Sequence, residues 1–131
     1  MAISNLHEKL LFFTLQKSRY SKQLSDIQMR QLGATQTASR KQQEFNQKLQ
    51  ALYYDEEFGY GTEEYSEMLL ELQNEHEFEM ANLNSWESQL ESEKDQVETQ
   101  LNEVTQYEAS WQKLLQQNIK SDFTYGGGGG K

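Results

Sequence analysis

Residues 62–121 decide the fold, and they read TEEYSEMLLELQNEHEFEMANLNSWESQLESEKDQVETQLNEVTQYEASWQKLLQQNIKS. No proline or glycine occurs in this stretch, so nothing in it forces a helix to end. A main column of residues recurs every seven positions: Leu69, His76, Leu83, Leu90, Val97, Val104, Trp111 and Asn118. Other apolar residues fall three positions after members of this column (Leu72, Trp86, Tyr107, Leu114) or four positions after (Met80, Leu101, Leu115). This spacing predicts an apolar stripe on one long helix that coils around a partner helix.

The first part of the chain carries a matching pattern and supplies that partner. One column recurs every seven positions: Ile3, Leu10, Lys17, Leu24, Gln31, Ala38, Phe45 and Leu52. A second column falls three residues later: Leu6, Phe13, Tyr20, Ile27 and Ala34. Ser4 or Asn5 can cap the helix at its start. We therefore expect helix one over about residues 4–54 and helix two over about residues 63–120.

The turn is expected at residues 55–62, which read DEEFGYGT. Gly59 and Gly61 can adopt positive φ, and Gly59 is expected to end helix one in a left-handed cap. Thr62 is expected to cap helix two. A short loop between two long helices makes them antiparallel neighbours. The fold class is therefore all-α, a long antiparallel two-helix hairpin that resembles a coiled coil and oligomerises into a bundle or filament.

The segment GATQTAS at residues 33–39 allows two interpretations. It is either a kink or break in helix one, because Gly33 costs about 1 kcal/mol relative to alanine in a helix interior. Alternatively, its small side chains admit large ones from helix two, which we favour. A hairpin folded at residues 58–61 would place residue i opposite residue 117 − i, which sets Ala34 against Leu83 and Gln31 against Trp86.

Composition and charge restrict the possible function classes. Among 131 residues there is no cysteine, which excludes disulfides and thiol chemistry, and the apolar share of 35% is too small for a thick core. Residues 1–54 hold eight Lys/Arg and three Asp/Glu (+5), whereas residues 55–131 hold four and eighteen (−14). These halves would attract each other, although two solvated faces with a chance bias would give the same numbers. The net charge of −9 argues against nucleic acid as the main partner.

We expect one domain over residues 1–125, followed by a flexible glycine-rich tail at residues 126–131. The tail is either a disordered end or a thin segment that threads into a neighbouring subunit. The sequence shows neither a signal peptide nor an apolar run that could span a membrane. The protein is therefore expected to be cytoplasmic, or to leave the cell without a cleaved leader.

No catalytic, metal-binding or cofactor-binding residue stands out. His7 and His76 are the histidines, and neither follows a glutamate by three residues as helical di-metal sites require. The terminal glycine run lacks the residues of a phosphate loop. His76 lies on the stripe, and a half-buried polar residue facing Lys41 is the simpler interpretation. We expect no enzymatic activity.

Apolar residues off the stripe point to contacts with other molecules, because large exposed apolar patches usually mark interaction surfaces. Phe13, Tyr20, Phe45, Trp86, Tyr107 and Trp111 are interpreted as core. Leu115 is assigned to the contact surface rather than to the core. The candidate self-association residues are Leu11, Phe12, Leu15, Phe58, Tyr60, Leu115, Ile119, Phe123 and Tyr125.

Two non-enzymatic functions fit these observations. The first is a self-assembling subunit of a filament, tube or other homo-oligomer, with copies of itself as partners. The second is a coiled-coil adaptor or small secretion-chaperone-like module that binds another helical protein. In its architecture the chain resembles the leaderless helical hairpins exported by bacterial specialised secretion systems, including needle-type and filament subunits and the WXG-type family. Its turn, Phe58-Gly59-Tyr60-Gly61, lacks the Trp-x-Gly of that last family.

Overall fold

The computed structural model describes the backbone of residues 3–126 and the side chains of residues 3–121. Helix α1 spans Ile3–Tyr53 and helix α2 spans Tyr65–Gly126, and a turn at residues 54–64 joins them. The helices pack against each other as a hairpin, which confirms the predicted all-α class and helical hairpin. Helix α2 continues beyond the expected end near residue 120, and residues 127–131 of the glycine-rich tail lie outside the described residues.

The chain divides into two compact units. The terminal unit consists of Met1–Asp26 and Glu93–Lys131, and the turn unit consists of Ile27–Ser92. Each unit has its own part of the apolar seam. The buried residues are Leu6, Val97, Val104 and Leu115 in the terminal unit, and Ile27, Ala34, Leu52 and Leu90 in the turn unit.

The seam of α1 follows the predicted spacing. Every member of its two predicted columns is buried or half-buried, including the polar members Lys17 and Gln31. The helix runs without interruption through residues 33–39, so the expected alternative of a break there is wrong. Ala34 is fully buried. Ala34 and Ala38, which is half-buried, therefore lie on the helix-packing face, whereas Thr35 and Ser39 are exposed.

The seam of α2 differs from the expectation on one side. The main column is buried or half-buried throughout. Two further columns flank the main column, one formed by residues three positions after its members and one by residues four positions after. From Leu83 onward the residues of the second flank are buried or half-buried: Glu87, Lys94, Leu101, Glu108 and Leu115. The residues of the first flank are exposed. Trp86, Tyr107 and Leu114 are 39%, 52% and 45% exposed, so the interpretation of Trp86 and Tyr107 as core is wrong. One helix covers only one flank of the main column, because residues three and four positions away lie on opposite sides of it.

The register also differs from the expectation. In the turn unit Gln31 Nε2 donates to Glu91 Oε2 at 3.0 Å, whereas Trp86 was expected opposite Gln31. Lys41 pairs with Glu79 at 3.8 Å. α2 begins at Tyr65 rather than near residue 63, which moves the pairing in the same direction.

The turn is held by backbone hydrogen bonds and by one carboxylate. Asp55 Oδ1 accepts hydrogen bonds at 2.8 Å from the backbone N–H groups of residues 57 and 58. The N–H of Tyr60 donates to the carbonyl of Tyr53 at 3.0 Å, which folds the chain back over the end of α1. Buried Gly59 is needed here because an added Cβ would collide with the carbonyl oxygens of Asp55 and Tyr53.

Two expectations about the turn are wrong. Among the described residues Gly61 alone has a positive φ, 97°, so Gly59 does not form a left-handed cap. Thr62 does not cap α2, because its hydroxyl donates to the carbonyl of Gly59 at 2.8 Å and the helix begins at Tyr65. Close backbone packing, rather than helix termination, therefore explains Gly59.

Candidate self-association surfaces

The first candidate surface lies on α1 within the terminal unit. It comprises Leu11, Phe12 and Leu15, called here the α1 patch, all more than half exposed. These residues lie outside the inward columns, which Leu10 and Phe13 occupy, and Phe12 also borders the edge of the seam. The ring of Phe12 packs edge-to-face on Phe13 with centroids 5.3 Å apart, which holds the exposed ring against the core.

Cations follow the α1 patch on the same helix face. Arg19 lies seven residues after Phe12 and Lys22 seven residues after Leu15, so each pair shares a column, and both cations are exposed. Residues 8–22 carry four Lys/Arg and one Glu. The patch is thus an apolar surface in a positively charged setting.

Residues near the end of α2 were expected to join this surface, and the structure places them differently. Leu115 is 6% exposed and packs in the seam, so it is not available as a surface residue. Its neighbour Leu114 is exposed instead, and Ile119 is also exposed. Phe123 and Tyr125 lie outside the residues whose side chains are described.

The second candidate surface lies at the turn, in the turn unit. Tyr53, Tyr54, Tyr60 and Tyr65 form a tyrosine cluster. The ring of Tyr53 is 4.9 Å from Tyr54, 5.0 Å from Tyr60 and 6.3 Å from Tyr65 by centroid, and Tyr60 lies 5.7 Å from Tyr65. Interlocked rings of this kind lose little conformational freedom when they bind. Phe58, another candidate residue, is half-buried, whereas Tyr60 is exposed.

An open groove of about 440 Å³ adjoins the tyrosine cluster. This turn groove is lined chiefly by Leu49, Tyr53, Tyr54, Tyr65 and Leu69. The lining is largely aromatic and aliphatic. The sequence placed these tyrosines near the turn, but the groove depends on the two helix ends coming together.

The surroundings of the turn groove are strongly acidic. Residues 49–73 contain seven Asp/Glu, and no Lys or Arg occurs anywhere in residues 49–93. Tyrosine rings attract cations over their faces, and the effect adds to that of nearby carboxylates. The turn groove therefore suits an apolar segment with positive charge.

The third candidate surface is the uncovered flank of α2. In the terminal unit Tyr107 borders a shallow groove of about 420 Å³ that is shared with Phe12, Phe13 and Tyr20. Tyr107 packs on Phe13 with ring centroids 5.5 Å apart, and Leu114 lies one heptad further along α2. In the turn unit Trp86 occupies the same column. Trp86 and Tyr107 of this flank were expected in the core, because the spacing of apolar residues does not show which flank of α2 is covered by α1.

Two polar groups lie in the seam. His76 stacks on Phe45 with ring centroids 3.9 Å apart, its Nε2 lies 3.2 Å from Gln42 Oε1, and its buried Nδ1 has no protein hydrogen-bond partner. His76 is half-buried, as expected, and it lines one small cavity together with Lys41 and Phe45. This cavity is about 10 Å³, enough for about one water molecule.

Glu108 bridges to α1 within the terminal unit. Its carboxylate accepts hydrogen bonds from Thr14 Oγ1 at 2.8 Å and from Lys17 Nζ at 3.2 Å. The hydrogen bond from Thr14 contributes most to lowering the pKa of Glu108. Burial opposes this effect, and the hydrogen bond and the charge of Lys17 lower the pKa further. This arrangement stabilises the packing of the helices and does not resemble a catalytic carboxylate.

Within the described part of the chain no group of three or more His, Asp or Glu side chains is arranged to hold a metal ion. In residues 3–126 neither helix combines the length and apolar character that crossing a membrane requires. Neither a protein-family model, nor a curated protein, nor a solved structure matches this chain. The surfaces themselves therefore carry the functional argument.

Proposed function

We propose that this protein is a non-enzymatic structural subunit that assembles with copies of itself into a helical bundle or filament. The observation that carries the proposal is the uncovered flank of α2. Its apolar residues are Trp86, Tyr107 and Leu114, with Glu93 and Gln100 between Trp86 and Tyr107. Apolar residues on both sides of the main column are typical of helices in bundles of more than two.

The exposed residues support this proposal through their chemistry. Trp86 and Tyr107 present aromatic surface that water solvates poorly, and tyrosine and tryptophan are enriched among the residues that dominate binding energy at interfaces. The seam between two helices is thin, so burying further apolar surface against another copy would add to the stability of each hairpin.

The test is the mass of the protein across a concentration series. Sedimentation equilibrium from micromolar to millimolar protein should show a rising average mass, and electron microscopy of the concentrated sample should show bundles or filaments. A mass that stays at 15.4 kDa over the whole range would refute self-assembly.

A matched pair of neighbouring substitutions tests the flank itself. Tyr107→Glu places a charge on the uncovered flank and should weaken association about tenfold or more, the effect expected for loss of a central aromatic contact. Gln106→Glu adds the same charge on the exposed residue next to it and should change association little. Circular dichroism would verify that both variants are helical. Equal effects of the two substitutions would mean that net charge, and not the flank, governs association.

A different helical protein could cover the same flank. In that case the purified protein would stay monomeric and would take up one partner at fixed stoichiometry. That outcome would replace self-assembly by the function of an adaptor or small secretion-chaperone-like module.

A further inference from the structure

We infer that the turn groove of one copy binds the α1 patch of a second copy. The inference rests on the proposed self-assembly and specifies one of its contacts. It joins two surfaces that differ from each other, so the contact is heterologous and can continue from copy to copy into an open chain.

The two surfaces match in chemistry. The α1 patch presents Leu11, Phe12 and Leu15 on one helix face, as an apolar segment must to enter a groove. The turn groove offers about 440 Å³ lined by tyrosine and leucine side chains. The tyrosine rings already pack on one another, so little order has to be imposed when the groove is filled.

Charge identifies the second copy as the occupant. Around the groove, residues 49–73 carry seven acids and no Lys or Arg. Around the patch, residues 8–22 carry four cations and one acid. Lys17 is paired with Glu108 of α2, and the other three cations, Lys9, Arg19 and Lys22, are exposed. Arg19 and Lys22 follow the patch on the same face, where they would meet carboxylates and the faces of tyrosine rings. Two turn grooves facing each other would instead bring like charges together.

Cross-linking between two singly labelled chains tests the contact. The protein has no cysteine, so each introduced cysteine is unique. Ser18→Cys lies one heptad after Leu11 on the exposed side of α1, and Gln50→Cys lines the turn groove. An equimolar mixture treated with a flexible bis-maleimide should give much more cross-linked dimer than either variant alone. Ser85→Cys, an exposed position outside the groove, should not cross-link to Ser18→Cys above background.

Disrupting substitutions connect the cross-link to the proposed residues. Tyr54→Ser in the Gln50→Cys chain should abolish most of the cross-linked product, and so should Leu11→Ser in the Ser18→Cys chain. Both residues are well exposed, Tyr54 at 78%, so the hairpin should remain folded, as circular dichroism would show. The cross-linked fraction should also fall as sodium chloride is raised, because salt screens the charges that attract the two surfaces.

The outcomes separate this inference from the proposed function. A wild-type protein that assembles while the mixed cysteine variants do not cross-link above background would overturn the contact and leave self-assembly standing. Strong cross-linking of Gln50→Cys to itself would also overturn it, because the groove would then face another groove. A wild-type protein that is monomeric at every concentration would overturn both.

Discussion

Leu114 and Leu115 are adjacent leucines that the structure treats oppositely, and this difference provides the sharpest test of the fold. Leu115 is 6% exposed and Leu114 is 45% exposed. Spacing admits both leucines to the apolar stripe, and the interpretation of the sequence assigned Leu115 to the outer contact surface and left Leu114 on the stripe. Alanine at each position therefore distinguishes the structure from that interpretation, with identical chemistry and nearly identical helix propensity.

The expected magnitudes follow from burial. Replacing a buried leucine by alanine costs about 2–5 kcal/mol, and the thin seam can partly relax into the space, so about 2–3 kcal/mol is expected for Leu115→Ala. Leu114 keeps nearly half of its surface in water, so Leu114→Ala should cost about 1 kcal/mol or less. With a urea dependence of about 2 kcal/mol per molar, the unfolding midpoint should fall by about 1–1.5 M for Leu115→Ala and by about 0.5 M or less for Leu114→Ala.

The assay is urea unfolding followed by circular dichroism at the lowest workable protein concentration, because association would stabilise the folded state by mass action. At high protein concentration we expect Leu114→Ala to lower the average mass of the assembly more than Leu115→Ala does. This loss of mass should exceed what the small loss of stability of Leu114→Ala explains. Equal losses of stability, or a larger loss for Leu114→Ala, would show that α2 does not turn its Leu115 side toward α1.

Three further perturbations test other parts of the hairpin. Gly59→Ala should destabilise the protein by about 1–3 kcal/mol because its methyl group meets backbone carbonyl oxygens. Its control, Gly33→Ala, meets nothing within 4 Å and should stabilise by about 1 kcal/mol in thermal unfolding, and the opposite order would contradict the turn geometry. The lowered pKa of Glu108 means that its carboxylate stabilises the fold above the unfolded-state pKa, and that this contribution is lost as pH falls through the folded value. Glu108→Gln should therefore be less stable than wild type at neutral pH and show a shallower loss toward acid in urea midpoints; parallel pH curves would argue against this role. His76→Leu removes a buried nitrogen without a partner and should raise stability by about 1 kcal/mol, whereas a clear loss would show that the ring stack outweighs that nitrogen.

Spacing predicted the seam of α1 in full but only half of the seam of α2. On α1 few apolar residues lie on the other side of the first column, so the spacing predicted a single inward face for this helix. On α2 apolar residues flank the main column on both sides, with Trp86 and Tyr107 three positions after it and Leu101 and Leu115 four positions after. Either flank satisfies helical periodicity, and only the position of the partner helix selects between them.

Of the candidate surfaces, the sequence predicted the α1 patch but not the turn groove. The α1 patch was recognised because Leu11, Phe12 and Leu15 fall outside both seam columns. The turn groove was not, because its walls come from residues before and after the turn. The distance between these two walls depends on the length of the turn. Hydrogen bonds to Asp55 and close backbone packing at Gly59 determine that length. Local propensity contains no information about such contacts.

From its residues alone this protein is predicted to be a helical hairpin, because a seven-residue period on each side of one glycine-containing turn lets the two apolar stripes pack against each other. The separation of a basic first part from an acidic second part is likewise a property of the sequence. Tertiary structure decided the register, the inward flank of α2 and the groove at the turn. Each of these depends on the rotation and axial position of one helix against the other, which many distant contacts determine together.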